Sequence, residues 1–460
     1  MSNAKVSVLI YVKNDELHIE KCVRSVMEQS LCDIEILIID GGSTDGTLSR
    51  IKALKAEDGR IRLIFSPPGV GIQFNIGLKA AGGKYIGICE SDDYVASDMY
   101  EKQYEIAEKY QLDVLKANVN RFCEGGEKEY RFPFSLSNDL TVYDRLINPE
   151  EDFRFIKLGV NGFWSGLYRR EFLLGNNIYM NETDGAAYQD TAFSFLSGVC
   201  AKRSYVMHEA FYCYRMDNPN SSVNNPGKLS LLNNEYNLLK DRLKTAGLWQ
   251  KYKEVYLSWK ISGCLWFYDN LSDEMKRDYI SLFYKDIRKE NSEEGYSGKE
   301  LSAKEQIVCG LGNQSFDVFK EYVRSFDSVR VEMEERLRQL DLKKDFLIFG
   351  IGNMGVLVNQ YLKERGKSAA ACLDNNFEKW GTSFEDLLVM SPEKAVEKYG
   401  GAVYLVANAS HENEMKVQLL ELGVPATDII LCNNYDNFLK KILIKTIKIS
   451  EASNREEKYD

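Results

Sequence analysis

Histidine is nearly missing from this chain: His18, His208 and His411 are the only three in 460 residues, and they do not fall at ligand spacing. That scarcity argues against imidazole metal sites and histidine dyads. Paired cysteines are missing too. The ten cysteines are scattered without a CxxC, and several sit inside apolar runs, so they read as reduced core residues of a cytosolic protein. Excess positive charge is absent, since 59 Lys and Arg face 69 Asp and Glu for a net charge of −10. A nucleic-acid footprint would need a basic domain or stripe, so no nucleic-acid partner is expected. Finally, no stretch approaches the roughly 18–20 apolar residues of a membrane span. No basic-then-apolar leader precedes the strand-length run Val6–Val12. The expected location is therefore cytoplasmic, with membrane contact only from the surface.

What is present is a long chain with changing texture. A prior of about 100–200 residues per domain gives two to four domains for this length. From Lys5 to about Asp93, short apolar strands alternate with helical stretches, the mark of βα units and a largely parallel sheet. The strands are Val6–Val12, Ile34–Ile39, Ile61–Phe65 and the run ending near Cys89. Helices are expected over Glu16–Ser30, up to Glu57, and over Gln73–Ala81. Between Lys228 and Leu340 the segments Leu231–Lys244, Lys251–Asn270, Met275–Lys289 and Asp317–Leu340 are charge-rich and helix-periodic. A third regime of α/β pattern starts at Asp345. The expected domains are 1–227, a helical region 228–340, an α/β domain 341–435, and a basic, apolar segment with a charged tail over 436–460.

Two polar clusters stand where chemistry belongs in such a sheet. The apolar run Tyr85–Cys89 ends in Glu90, Asp92 and Asp93, three carboxylates within four residues. Such a cluster repels itself unless hydrogen-bond donors or a divalent cation hold it, and hard oxygen ligands select Mg or Mn. A solvated acidic turn is the other reading. The second cluster, Asp40–Thr47, packs two aspartates, three hydroxyls and three glycines into one strand-to-helix turn. Glycines there let the backbone approach a ligand, while Ser43 or Thr44 could equally serve as a helix cap. Ligands of open α/β sheets sit beyond the carboxyl ends of the strands, where both clusters lie.

Taken in order, Val6–Asp15, Cys22–Ser30, Ile34–Thr47 and Asn75–Asp93 resemble the N-terminal half of the family 2 glycosyltransferases, a likeness extending to about Val223. The resemblance implies a GT-A nucleotide-sugar-binding fold, an α/β class, and transfer that inverts the sugar's configuration. It places Asp40 at the nucleotide base, with Gly41 where a second aspartate is usual, and Tyr11, Asn14 and Ser43 near the nucleotide. Its metal motif falls on Glu90, Asp92 and Asp93, holding Mn or Mg on the diphosphate of a UDP-linked sugar. Glutamate replaces the usual first aspartate.

The segment Tyr188–Phe193 resembles the family's ED motif, with Gln189 in place of glutamate and Asp190 as the base that deprotonates the acceptor hydroxyl. Asp190 also reads as the N-cap of a helix over Thr191–Val199. Trp164 is either a wall of the sugar site or core packing, and Arg215, followed by Asn220–Ser222, matches a segment near the leaving diphosphate. The implied acceptor is a glycan or lipid-linked hydroxyl, in bacterial surface polysaccharide synthesis. Two other functions compete. A nucleotidyltransferase would want a glycine-rich phosphate loop, and Tyr11–Asp15 has no glycine; a non-catalytic assembly protein would use both modules as binding surfaces.

Near the C-terminus, Gly350, Gly352 and Gly355 follow a strand and open a helix, and Asp374 ends the next strand. This is the context of a Rossmann-like dinucleotide fingerprint. The module would bind a nucleotide or sugar nucleotide, or serve assembly alone. Self-association through it or through the helical region is left open. Phe438–Ile449 reads as a strand of the last domain, or as a membrane-surface helix with Lys441, Lys445 and Lys448 on one side.

Overall fold

A computed structural model describes residues 4–125, 128–137, 139–158, 162–183, 188–218, 229–325, 343–408 and 411–432. The chain divides into two compact units, Met1–Asn120 with Asp139–Val323, and Arg121–Asn138 with Arg324–Asp460.

The chain opens with β1 (Val6–Val12), α1 (Ile19–Met27), β2 (Ile34–Asp40), α2 (Thr47–Glu57), β3 (Ile61–Phe65), α3 (Val70–Ala80) and β4 (Tyr85–Ile88). Every residue of β1, β2 and β4 is buried, which is why these strands read as unbroken apolar runs: a sheet covered on both faces leaves no solvent side. β1 pairs in parallel with β2 and with β4, and β3 adds outside β2. The order β3-β2-β1-β4 reverses between β1 and β4, and in open α/β sheets ligands bind at such a reversal, beyond the strands' carboxyl ends.

Next come β5 (Tyr94–Val95), α4 (Met99–Tyr110), β6 (Val114–Gly125), β7 (Lys128–Phe134), β8 (Leu146–Ile147), α5 (Arg154–Lys157), β9 (Leu167–Arg169), α6 (Arg170–Gly175), α7 (Asp190–Cys200) and β10 (Ser204–Arg215). β9 lies antiparallel between β4 and β6, and β10 runs antiparallel to β5. The sheet is thus parallel on one side of β4 and antiparallel on the other.

Four helices follow: α8 (Leu231–Thr245), α9 (Trp249–Asn270), α10 (Asp273–Glu293) and α11 (Ala303–Leu311). α8 packs against both α7 and α9, so the helical region continues the first unit and does not break from it at residue 227. Ser302 and Glu305 form a reciprocal capping box that starts α11. Inside the bundle Lys260, 0% exposed, donates to Asp286 (3.0 Å) and Glu290 (2.8 Å). The helix expected over Asp317–Leu340 is described only to residue 325, and the segment 436–460 lies outside the described residues.

In the second unit, β11 (Phe346–Phe349), β12 (Ala371–Leu373), β14 (Leu387–Met390), β15 (Val403–Val406) and β16 (Ile429–Leu431) form a parallel sheet in the order β14-β12-β11-β15-β16, edged by antiparallel β13 (Ser383–Phe384). This is the doubly wound order, reversing between β11 and β15. Phe346 and Ile348 enter the core on one face, Leu347 and Phe349 on the other, as the period of two requires. Cys123, from the hairpin, joins the first of those cores, so residues 121–138 belong with this unit and not with the N-terminal domain expected for them. Among the described residues no helix is long and apolar enough to cross a membrane.

Candidate active site

The acidic turn after β4 is held by residues far away in sequence. Tyr11, at the end of β1, reaches across the strand-order reversal and donates its hydroxyl to Glu90 Oε1 (3.1 Å). Tyr212 on β10 donates its hydroxyl to Asp93 Oδ2 (2.7 Å) and accepts the Glu90 N–H (2.9 Å). The Arg215 N–H donates to Asp93 Oδ1 (2.7 Å), and Arg215 Nε donates to the Asp92 carbonyl (3.0 Å). Asp93 is therefore 1% exposed with a donor on each oxygen. These bonds tie the turn to β10, leaving Asp93 the most enclosed of the three carboxylates expected to hold a metal. Arg215, 6% exposed, braces the same turn, and its Nη1 pairs with Asp217 (3.2 Å).

Asp92 and Glu90 retain partial exposure. Asp92 Oδ2 accepts from Asn218 Nδ2 (2.7 Å). Ser91 donates to Asp15 Oδ2 (2.6 Å), whose other oxygen lies 2.6 Å from His18 Nδ1. Burial pushes the Glu90 carboxyl up to about 8, with the Asp92 and Asp190 charges adding to the rise. Burial likewise raises Asp92, and the Asp15 charge adds to it. Among the described residues no three His, Cys, Asp or Glu side chains converge as a complete metal set. Glu90 and Asp92 still suit a hard divalent cation, because such ions usually take one or two carboxylates and complete their shell with substrate phosphates.

Asp190 is the first residue of α7, with Gln189 at the N-cap, one position later than the capping role expected for it. Its carboxyl is pushed up to about 7 by burial, and the charge of Glu235 on α8 adds to that rise. Tyr188, two residues earlier, has φ +66°, a left-handed conformation that is costly for a residue with a bulky side chain. Its ring meets Phe267 of α9 edge-on at 5.5 Å.

The Asp40–Thr47 turn is built from below. Asp40 is 0% exposed and accepts at Oδ2 from the N–H groups of Gly42 (3.0 Å) and Ser43 (3.1 Å). These bonds shape the turn. Ser43 Oγ accepts the Asn14 N–H (2.9 Å), and Asn14 Oδ1 accepts the Thr44 N–H (2.7 Å), so these two zip the loop after β1 to the loop after β2. Asn14 has φ +54°, a conformation asparagine tolerates better than most. At Gly41, where the family usually has aspartate, a Cβ would lie 3.0 Å from the Gln73 carboxamide, tighter than an ordinary contact. That carboxamide donates to the carbonyls of Val12 (3.0 Å) and Ile39 (2.8 Å) and cannot easily move. Trp164 is 8% exposed and stacks on Tyr212 (4.2 Å) and Tyr214 (5.1 Å), which favours the packing role over the sugar wall. Asn161 and Asn220–Ser222 lie outside the described residues.

Tyr212, Asn218, Asp15 and Gln73 were not singled out in the sequence. Tyr212 lies in the family-like segment before Arg215, a signal that could have found it; Gln73 stands 34 and 61 residues from Ile39 and Val12, Asp15 76 from Ser91, and Asn218 126 from Asp92, so these contacts leave no local mark.

In the second unit the three glycines have distinct settings. Gly350 has φ +113°, and a Cβ on it would meet the Ala407 carbonyl at 2.5 Å. Gly355 packs its backbone directly against the Gly350 carbonyl, and Gly352, the N-cap of the helix Asn353–Glu364, faces open space. Asp374 directly follows β12 and accepts the Asn376 N–H (2.8 Å) and the Lys379 ammonium (3.3 Å). Phe377, 70% exposed, and Trp380, 41% exposed, follow it.

Comparison with known proteins points to one family. Residues 7–174 fit the family model of glycosyl transferase family 2. The uncharacterized glycosyltransferase EpsJ of Bacillus subtilis is 32% identical over 227 residues, which cover 48% of this chain and 64% of that protein. The match thus spans just under two thirds of that relative's length. The cholesterol galactosyltransferase of Borreliella burgdorferi is 27% identical over 349 residues, 72% of this chain and 90% of that protein. Among solved structures, S. aureus TarS 1-349 in complex with UDP-GlcNAc has the same fold, with a TM-score of 0.53 at 17% identity over 70% of this chain and 92% of that one. These likenesses favour neither a nucleotidyltransferase nor an assembly protein. The likeness to glycosyl transferase family 2 thus rests on residues 7–174.

Proposed function

We propose that the first unit transfers a sugar, with inversion, from a nucleotide-diphosphate sugar to a hydroxyl of a glycan or lipid-linked acceptor. The observation that carries this reading is the placement of Asp190, raised to about 7, in the electrostatic field of the acidic turn at the strand-order reversal. A base whose pKa lies near the working pH both is ionised and takes a proton effectively. Asp190 would accept the acceptor's hydroxyl proton as its oxygen bonds to the anomeric carbon. The bond from that carbon to the diphosphate breaks on the opposite face, and the diphosphate leaves with the electron pair.

Glu90 and Asp92 are the residues that would hold Mn or Mg together with the donor's diphosphate. When bound, the cation neutralises charge on the leaving group. Tyr11 orients Glu90, Asp93 and Tyr212 hold the turn, and Asp40, Ser43 and Asn14 shape the loops of the nucleoside end. UDP-linked donors are the first to test, because TarS, which shares the fold, is solved with UDP and with UDP-GlcNAc. Release of free nucleotide from a panel of nucleotide sugars with Mn present should identify the donor. Asp190→Asn should then lower kcat by about 100-fold or more; wild-type turnover in that variant would remove Asp190 as the base.

For the second unit we propose a ribonucleoside diphosphate ligand at Gly350–Gly355. Gly352 alone leaves its backbone open at a helix start beside the strand-order reversal, and the exposed Phe377 and Trp380 offer ring faces next to Asp374. Titration calorimetry of the whole chain with UDP, ADP and NAD tests it. Gly352→Glu should abolish one class of site without unfolding the unit, and unchanged stoichiometry for all three ligands would refute the site.

A further inference from the structure

Glu235 on α8 is 2% exposed and lies in a region that resembles no transferase motif. One loop occupies both of its oxygens: Asn181 Nδ2 donates to Oε2 (2.5 Å) and the Thr183 hydroxyl donates to Oε1 (2.7 Å). Arg242, two turns along the same helix, donates to the Tyr179 carbonyl (2.8 Å) and to Asn181 Oδ1 (3.3 Å). From the other side, Asn75 of α3 donates to the Met180 carbonyl and to Glu182 Oε1, each at 3.0 Å, and accepts the Met180 N–H (3.1 Å). The stretch that leads toward Asp190 is thus clamped between α3 and α8.

Burying a full charge is costly, and a donor on each oxygen offsets part of that cost. Burial raises the Glu235 carboxyl, opposed by Asn181, Thr183 and Arg242. Asp190 exchanges electrostatic interactions with Glu90 of the acidic turn, Tyr11 of β1, Tyr168 of β9, Tyr188 of its own approach, and Glu235 and Tyr236 of α8. Of these, Glu235 is the carboxylate that the loop before Asp190 holds directly.

We propose that Glu235 is a positioning residue for the transfer reaction: it fixes Asn181–Thr183 on the approach to Asp190 and keeps a negative charge behind that base. This rests on Asp190 acting as the base. It also gives the helical region a part in catalysis, beyond covering the sheet.

The experiment uses the full chain with the nucleotide sugar identified in the donor panel, following kcat and donor KM against pH. Glu235→Gln keeps the side chain's shape and removes its charge. The acid limb of kcat should move to lower pH, the plateau should fall on the order of 10-fold because a weaker base drives proton transfer less, and donor KM should stay unchanged. Glu235→Asp, which keeps the charge, should leave the acid limb in place. An unmoved limb in Glu235→Gln, whether activity is retained or lost together with melting temperature, overturns the proposal and leaves Glu235 a packing residue. Asp190→Asn separates the two ideas: wild-type kcat in it removes the base, whereas an inactive Asp190→Asn beside an unmoved Glu235→Gln limb removes only Glu235.

Discussion

Asp93 and Asp190 put the same carboxyl group to opposite uses, and the difference lies in what faces each oxygen. Asp93 meets a donor on both sides and becomes a strut. Burial, with the charge of Glu235 on Asp190 and those of Asp92 and Asp190 on Glu90, holds these two near 7 and 8. Their ordinary values lie near 4, so folding raises both. A raised carboxyl stabilises the folded state fully below its unfolded pKa and loses that contribution as pH climbs through the folded value. Without nucleotide and metal, the melting temperature should therefore fall between about pH 4 and pH 8, and Mn with UDP should flatten the decline. A melting temperature that rises across this window would contradict the site's electrostatics. The sequence could place Glu90, Asp92 and Asp93 at a strand end, because an apolar run stopping in acids is a local pattern. It could not rank them, because Tyr212 stands 119 residues from Asp93 and Asn218 stands 126 from Asp92.

Elements were read more securely than roles. The strands Val6–Val12 and Ile61–Phe65 and the helices near 231–245, 249–270 and 273–293 fall where periodicity puts them, since burial of one face or both imposes that pattern. Helix starts were less legible: α1 begins at Ile19 and not Glu16, and the side chains of Asp15 and Glu16 reach out to Ser91 and Gly46. The glycine turn after β11 shows how an element constrains its residues unequally. Gly350→Ala forces a side chain into φ +113° and against the Ala407 carbonyl, and should destabilise the second unit by about 1–3 kcal/mol. Gly352→Ala, into open space with an extended backbone, should be nearly neutral. Equal denaturant midpoints for the two variants would mean the turn is not packed as described.

For the whole molecule, two separate cores imply two cooperative transitions. Thermal melting should resolve them, and UDP-GlcNAc with Mn at about 100 times its Kd should stabilise the first unit by roughly 2.7 kcal/mol. A single transition, or no shift with any nucleotide sugar in the panel, would contradict the division or the donor reading respectively. The domain limits expected at 227 and 340 followed composition, which changes where helices replace the βα pattern. The units follow packing: α8 covers α7, and Cys123 enters the core of the C-terminal sheet. By itself the sequence determined the period of each strand and helix, the order of the family-like motifs, and the placement of acids and glycines at strand ends, all of which are local or repeat along the chain. Only the tertiary structure decided which carboxylates are enclosed by donors and which keep some exposure, how tightly Gly41 packs on Gln73, and that α8 reaches the approach to Asp190. Those outcomes depend on donors, charges and excluded volume brought together from distant segments, and no spacing along the chain records them.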